Sequence, residues 1–135
     1  MQKKIKVAII GTGNIGSDLL MKIQRSLWLE CNLFAGRSLS SQGIQRAKEM
    51  GIPVSDKSIH AIENDPSCCD IVFDATSADA HKEHAPILRD LHKFTVDLTP
   101  ALVGPMCVPV LNLDECMQAG NVNMITCGGQ ATVPL

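Results

Sequence analysis

The sequence predicts a single α/β domain built on a doubly wound parallel sheet. Short apolar segments rich in β-branched residues alternate with segments whose apolar residues recur every three or four positions. The strand segments are apolar almost throughout, as expected of strands covered on both faces. A glycine-rich turn joins the first strand to the first helix. With 135 residues, 45% hydrophobic and 19% charged, the chain is long enough for one core and too apolar to be disordered.

Each element follows from its pattern. Ile5, Val7, Ile9 and Ile10 predict a first strand that ends at Gly11. Ile15, Leu19 and Ile23 fall on one face of a helix from about Asn14 to Ser26. A second strand is expected around Cys31 to Ala35. Ile44, Ala47 and Met50 predict a helix from about Ser41, stopped by Gly51 and Pro53. Ile52 to Val54 reads as a short strand and Ser58 to Asn64 as a short helix. Asp70 to Asp74 is a clear strand. Ala80, His84, Ile87, Leu88 and Leu91 carry helical spacing, with Pro86 expected to start or kink part of it. Phe94, Val96 and Leu98 alternate as a half-buried strand. Thr99 to Pro109, with three prolines and a glycine, is expected to be mostly loop. Val122 to Thr126 is a last strand that delivers Cys127 at its carboxyl end. No repeat, low-complexity tract or interdomain linker interrupts this order.

The turn Gly11-Thr12-Gly13-Asn14-Ile15-Gly16 sits between a strand and an amphipathic helix, the context a GxGxxG motif needs to bind a dinucleotide. Gly11 permits the tight turn, Gly13 lets backbone approach a pyrophosphate, and Gly16 lets the helix pack on its strand. The helix amides and dipole favour the phosphates. The fold expected is therefore Rossmann-type, with ligands beyond the carboxyl ends of the strands. A ligand-free glycine turn is the plain alternative. An NAD site commonly carries Asp or Glu about 20 residues past the motif. Here that region reads Phe34-Ala35-Gly36-Arg37-Ser38, and Glu30 lies ~20 Å back along an extended strand. Arg37 and Ser38 suit a 2′-phosphate, as in NADP sites. A solvated loop arginine is the alternative, and the residues leave NAD and NADP both open.

Cys127 has the setting of a nucleophile. It follows a strand and precedes Gly128 and Gly129, whose amides are placed to reach a developing oxyanion. A helix beginning after Gln130 would lower its pKa. Packing is the alternative role for any single cysteine. Asp74, Thr76 and Ser77 end a central strand, where they line the nicotinamide ribose or only cap the next helix. Asp97 and Thr99 end another strand in the same way. His81 and His84 share a helix face, but a metal would need further ligands, so surface or partly packed histidines are expected and no metal site. Cys107 and Cys116 read as packing residues.

These blocks together resemble the acylating acetaldehyde dehydrogenases: residues 7–19 with the glycine motif, 72–78, 97–101, 108–113, and 121–132 around Thr126-Cys127-Gly128-Gly129-Gln130. The resemblance runs over all 135 residues but covers only the first part of a family member. It implies NAD and coenzyme A as co-substrates, Cys127 as the acyl-carrying residue, and cofactor contacts at Thr12, Gly13, Asn14 and Ile15. It also implies an aldehyde substrate and a 4-hydroxy-2-oxovalerate aldolase as partner. Aspartate-semialdehyde dehydrogenases share the layout and use NADP. The expectation is a dinucleotide-binding domain at 1–135 without the family's substrate and oligomerisation domain, turning over little or no aldehyde alone. The alternatives are a non-catalytic dinucleotide-binding domain and part of an NADP-linked semialdehyde dehydrogenase.

A net charge of −2 with scattered Lys and Arg gives no support to nucleic-acid or membrane-surface binding. No apolar run approaches the ~18 residues of a membrane span, and Met1 to Lys4 pass directly into a strand pattern. The six cysteines lack paired metal spacing and are expected to be reduced thiols, so a cytoplasmic location is expected.

Overall fold

A computed structural model describes residues 3–124. Six parallel strands form one sheet in the order β3-β2-β1-β4-β5-β6. They are β1 Ile5–Ile10, β2 Leu29–Ala35, β3 Val54–Ser55, β4 Ile71–Asp74, β5 Phe94–Asp97 and β6 Asn121–Asn123. The helices are α1 Asn14–Gln24, α2 Gln42–Glu49, α3 Ile59–Asn64, α4 Ala78–Asp90 and α5 Pro109–Met117, with a 3-10 turn at Pro66–Cys68. The chain winds outward from β1 to β3, then crosses back to β4 and winds the other way. The connections that follow β1 and β4 run in opposite directions along the sheet, and that switch point is where such sheets open a ligand crevice.

β1 lies at the centre, and Val7 to Ile10 are completely buried. Alternation divides its side chains between two cores. Ala8 and Ile10 pack with Leu33, Ala35, Ile59, Ile62, Val72 and Leu88 on one face. Val7 and Ile9 pack with Leu20, Ile23, Phe34, Ile44 and Ala47 on the other. Each fully buried Ile, Leu or Phe of this kind contributes about 1.5–3 kcal/mol of transfer free energy. Where β1 pairs with β2, Asn32 is skipped in the register between Val7–Cys31 and Ala8–Leu33. Its amide instead donates to the Cys68 carbonyl at 3.2 Å.

The helices begin where their caps dictate. Ser41 Oγ accepts from Ile44 N–H at the start of α2, and Ser77 Oγ from Ala80 N–H at the start of α4. α4 starts at Ala78 and runs through Pro86 without a break, so the proline neither starts nor ends a helix. β3 is Val54–Ser55 rather than 52–54. Beyond β5 the expected loop brings Met106 alongside Asn123 as an isolated parallel bridge, then leads into α5, with Pro109 in its first turn. Cys107 and Cys116 bury against Val122 in a third small cluster, as expected of packing residues. β6 begins at Asn121, and Cys127 with the rest of the expected last strand lies outside the described residues.

Candidate functional site

A cleft of about 530 Å³ opens at the switch point, walled by Gly11, Thr12 and Gly13 of the β1–α1 turn, Arg37 and Ser38 after β2, and Thr76 and Ser77 after β4. Gly11 adopts φ +107°, and a Cβ there would lie 2.5 Å from the Ala75 carbonyl oxygen, so neither conformation nor space admits a side chain. A Cβ on Gly16 would run into the Gly11 carbonyl oxygen, which fixes how closely α1 packs beneath the turn. Gly13 differs: nothing lies within 4 Å of where its Cβ would be. Gly13 caps α1 with no side-chain hydrogen bond, and the helix has no acidic residue in its first turn. The first amides of α1 and the positive end of its dipole therefore meet open space able to receive a phosphate.

Thr12 fastens this turn to the neighbouring loop. Its hydroxyl lies 3.2 Å from that of Ser41, and its carbonyl accepts from Ser17 Oγ at 3.3 Å. Gly36 and Gly43 pack so closely that Cβ atoms would collide with Thr12. Asn14 lines a smaller neighbouring groove with Gly13 and Ser17, Gly16 packs behind the turn, and Ile15 projects outward from α1 with 61% of its surface exposed. Of the expected cofactor residues, the fold thus brings Gly11, Thr12, Gly13, Arg37, Thr76 and Ser77 to one cleft.

Beneath the cleft lies a buried polar network the sequence reading did not anticipate. Asp74 ends β4 and Asp97 ends β5; they are register partners, as are Asp97 and Asn123, and all three are fully buried. Asp74 Oδ1 accepts from Thr76 N–H at 3.1 Å and Thr76 Oγ1 at 2.5 Å. Asp97 repeats the pattern with Thr99, at 2.7 and 2.6 Å. Asp74 Oδ2 takes the Nδ1 of both His81 and His84 at 2.8 Å. His81 Nε2 lies 3.4 Å from Asp97 Oδ2, which also accepts from Asn123 Nδ2 at 2.9 Å. The expectation of surface or partly packed histidines is corrected here: His81 is fully buried and His84 nearly so, because the carboxylate ending β4 supplies each with a partner.

Electrostatics follow from this geometry. Burial alone would push the Asp74 carboxyl up, but hydrogen bonds from His81, His84 and Thr76 outweigh it and hold the carboxyl well below the usual range. Burial alone would lower His81, yet Asp74 and Asp97 on either side raise its pKa above the ordinary value. A protonated ring directs Nε2–H towards Asp97. Asn121 Nδ2 stands 3.1 Å from the same nitrogen, and its Oδ1 is buried without a partner among the described residues. Turning that carboxamide over brings the oxygen onto the N–H. Elsewhere burial pushes the Cys31 thiol up to about 11 and the Cys69 thiol to about 12. Cys31, Cys68, Cys69 and Cys116 are free thiols, and the described residues hold no group of three metal-ligating side chains.

The glycine turn, the uncapped α1 and the 3-2-1-4-5-6 strand order form a dinucleotide crevice. Residues 6–119 match the semialdehyde dehydrogenase, NAD binding domain family. The chain belongs to that family. This NAD-binding domain is 53% identical over 137 residues to an acetaldehyde dehydrogenase of Pectobacterium atrosepticum, covering all of this chain and 46% of that protein. It is 53% identical over 133 residues to an acetaldehyde dehydrogenase of Spirochaeta aurantia, covering 98% of this chain and 45% of that one. The chain thus spans a little under half the length of these curated relatives. Among solved structures, aspartate semialdehyde dehydrogenase with NADP from Candida albicans superposes with a TM-score of 0.79 at 15% identity. That match covers 97% of this chain and 45% of the other, and it is a likeness of fold. An NAD-binding protein from Listeria innocua gives a TM-score of 0.61 at 26% identity over 73% of this chain and 28% of its own. No helix among the described residues of the NAD-binding domain is long and apolar enough to cross a membrane.

Proposed function

We propose that this NAD-binding domain serves an acylating acetaldehyde dehydrogenase, which converts acetaldehyde, coenzyme A and NAD to acetyl-coenzyme A and NADH. The observation that carries the reading is the open, uncapped amino end of α1 at Gly13, facing a cleft at the switch point of the sheet. The names of the relatives supply the substrate class. The residues present fit a dinucleotide: Gly11 to Gly13 and the first amides of α1 would hold the pyrophosphate, and Thr76 and Ser77 line the cleft beside them.

The Cys127 thiolate attacks the aldehyde carbonyl to give a thiohemiacetal, and the amides of Gly128 and Gly129 stabilise its oxyanion. The chemistry a bound dinucleotide supplies is acceptance of a hydride, leaving an acyl thioester on the cysteine. Transfer of the acyl group to the thiol of coenzyme A regenerates Cys127. A 4-hydroxy-2-oxovalerate aldolase is the partner suited to deliver the acetaldehyde, and the cytoplasm the compartment suited to reduced thiols.

A second reading, NADP in place of NAD, is favoured by Arg37 and Ser38, which line the cleft at the end of β2 where an acid would otherwise meet the ribose. Calorimetric titration of the chain with NAD and with NADP tests both. Binding of NAD supports the first reading, tighter binding of NADP the second, and binding of neither counts against a formed nucleotide site.

A further inference from the structure

The ribose partner missing at the end of β2 has a counterpart on α4. Among the described residues that line the cleft, Glu83 carries the single carboxylate. Beside it, His84 lines the same cleft and an adjoining groove of about 630 Å³ that it shares with Glu83, Arg37 and Ser58. Arg37 follows β2 and Ser58 follows β3, so this is the side of the crevice where the adenosine half of a dinucleotide lies.

His84 is built to hold something. Only 6% of its surface is exposed, its Nδ1 is taken by Asp74 Oδ2 at 2.8 Å, and its Nε2 has no partner among the described residues. Turning the ring would break its bond to a buried carboxylate, so its orientation is fixed before any ligand arrives. With Nδ1 engaged by Asp74, Nε2 is the ring nitrogen left to meet a ligand. Nε2 and the Glu83 carboxylate then stand together on one wall of the cleft. A pair of hydroxyls on adjacent carbons satisfies both, since a hydroxyl donates to a carboxylate and either donates to or accepts from a ring nitrogen, whereas a 2′-phosphate would place its charge against Glu83.

We propose that Glu83 and His84 bind the adenosine ribose diol of the dinucleotide, with Asp74 as the positioning residue that aims His84. The assignment rests on the dinucleotide reading above. His84→Asn keeps a donor near Nδ1 for Asp74 and deletes Nε2; Glu83→Ala alters an exposed helix position and leaves the fold intact. Calorimetry of the chain with NAD, ADP and 2′-deoxy-ADP reads the effect. Each substitution is expected to weaken NAD and ADP about tenfold, the size of one lost hydrogen bond. Removing the 2′-hydroxyl from ADP is expected to weaken binding to the wild-type chain and to cost less in Glu83→Ala. Wild-type affinity for NAD in Glu83→Ala, or an undiminished 2′-deoxy penalty there, overturns the assignment. Failure of the wild-type chain to bind NAD or ADP overturns the dinucleotide reading, and the ribose assignment with it.

Discussion

Replacing His81 with leucine tests the buried network most directly. His81 is fully buried, with one ring nitrogen 2.8 Å from Asp74 and the other 3.4 Å from Asp97. Leucine fills similar space but leaves both carboxylates facing an apolar side chain. Breaking a buried charged pair by removing one partner costs about 3–5 kcal/mol. Asp74 would keep Thr76 and His84, and Asp97 would keep Thr99 and Asn123, so the lower end applies. The expected loss is about 3 kcal/mol near neutral pH, a large share of the 5–15 kcal/mol typical of a domain. Urea unfolding at a series of pH values measures it. His81 has a raised pKa in the folded state, so its contribution is full below about 6.5 and is lost as pH climbs through the folded value. The gap between wild type and His81→Leu should therefore narrow with rising pH. Asp74, with its depressed pKa, contributes above about 3.9 and is lost as pH falls through its folded value. A variant within about 0.5 kcal/mol of wild type, or a gap that widens with pH, would refute the reasoning.

Two glycine substitutions should separate packing from binding. Gly16→Ala drives a methyl into the Gly11 carbonyl and should destabilise the chain by about 3 kcal/mol in urea unfolding. Gly13→Ala finds open space and should unfold like wild type, yet weaken NAD about tenfold or more in calorimetry, because its methyl occupies the pyrophosphate approach. Arg37→Ala should reduce NADP affinity more than NAD affinity, and an equal effect would make Arg37 a surface residue. In alkylation at neutral pH, Cys31, Cys69 and Cys107 should label slowly, since burial pushes each thiol to about 11 or higher. The fast-labelling thiol should disappear in Cys127→Ala, and its persistence there would remove the proposed nucleophile.

The strongest sequence patterns survived because local and tertiary forces agreed. β1, α1 and β4 lie within a few residues of expectation, since their apolar periodicity is the same pattern that fills the two cores. α5 carried no comparable pattern. Val110, Leu111, Leu113 and Met117 are all exposed, and Cys116 is its buried residue, so its hydrophobicity does not report the face it packs. Pro86 does not start the helix: α4 begins earlier, held by the Ser77 cap and by Ala85 and Leu88 in the core, which outweigh one missing N–H.

The polar network was partly written in the sequence, in a pattern that only register makes meaningful. Asp74-Ala75-Thr76 and Asp97-Leu98-Thr99 are the same Asp-x-Thr turn at two successive strand ends. Each aspartate uses one oxygen to hold its own turn and keeps the other for a neighbour. Because the strands are parallel and paired Asp74 to Asp97 to Asn123, those second oxygens fall in one row at the carboxyl edge of the sheet. The spacing of His81 and His84 on α4 then places both rings over Asp74, and His81 reaches on to Asp97. The helical spacing of Ala80, His84, Ile87 and Leu88 is visible in the sequence, but the burial of His81 and His84 is not, because the carboxylates that satisfy them belong to other strands. The row ties β4, β5 and β6 together at the edge where the cleft opens. Loosening it at His81 should therefore weaken nucleotide binding as well as stability, whereas a purely packing role would move stability alone.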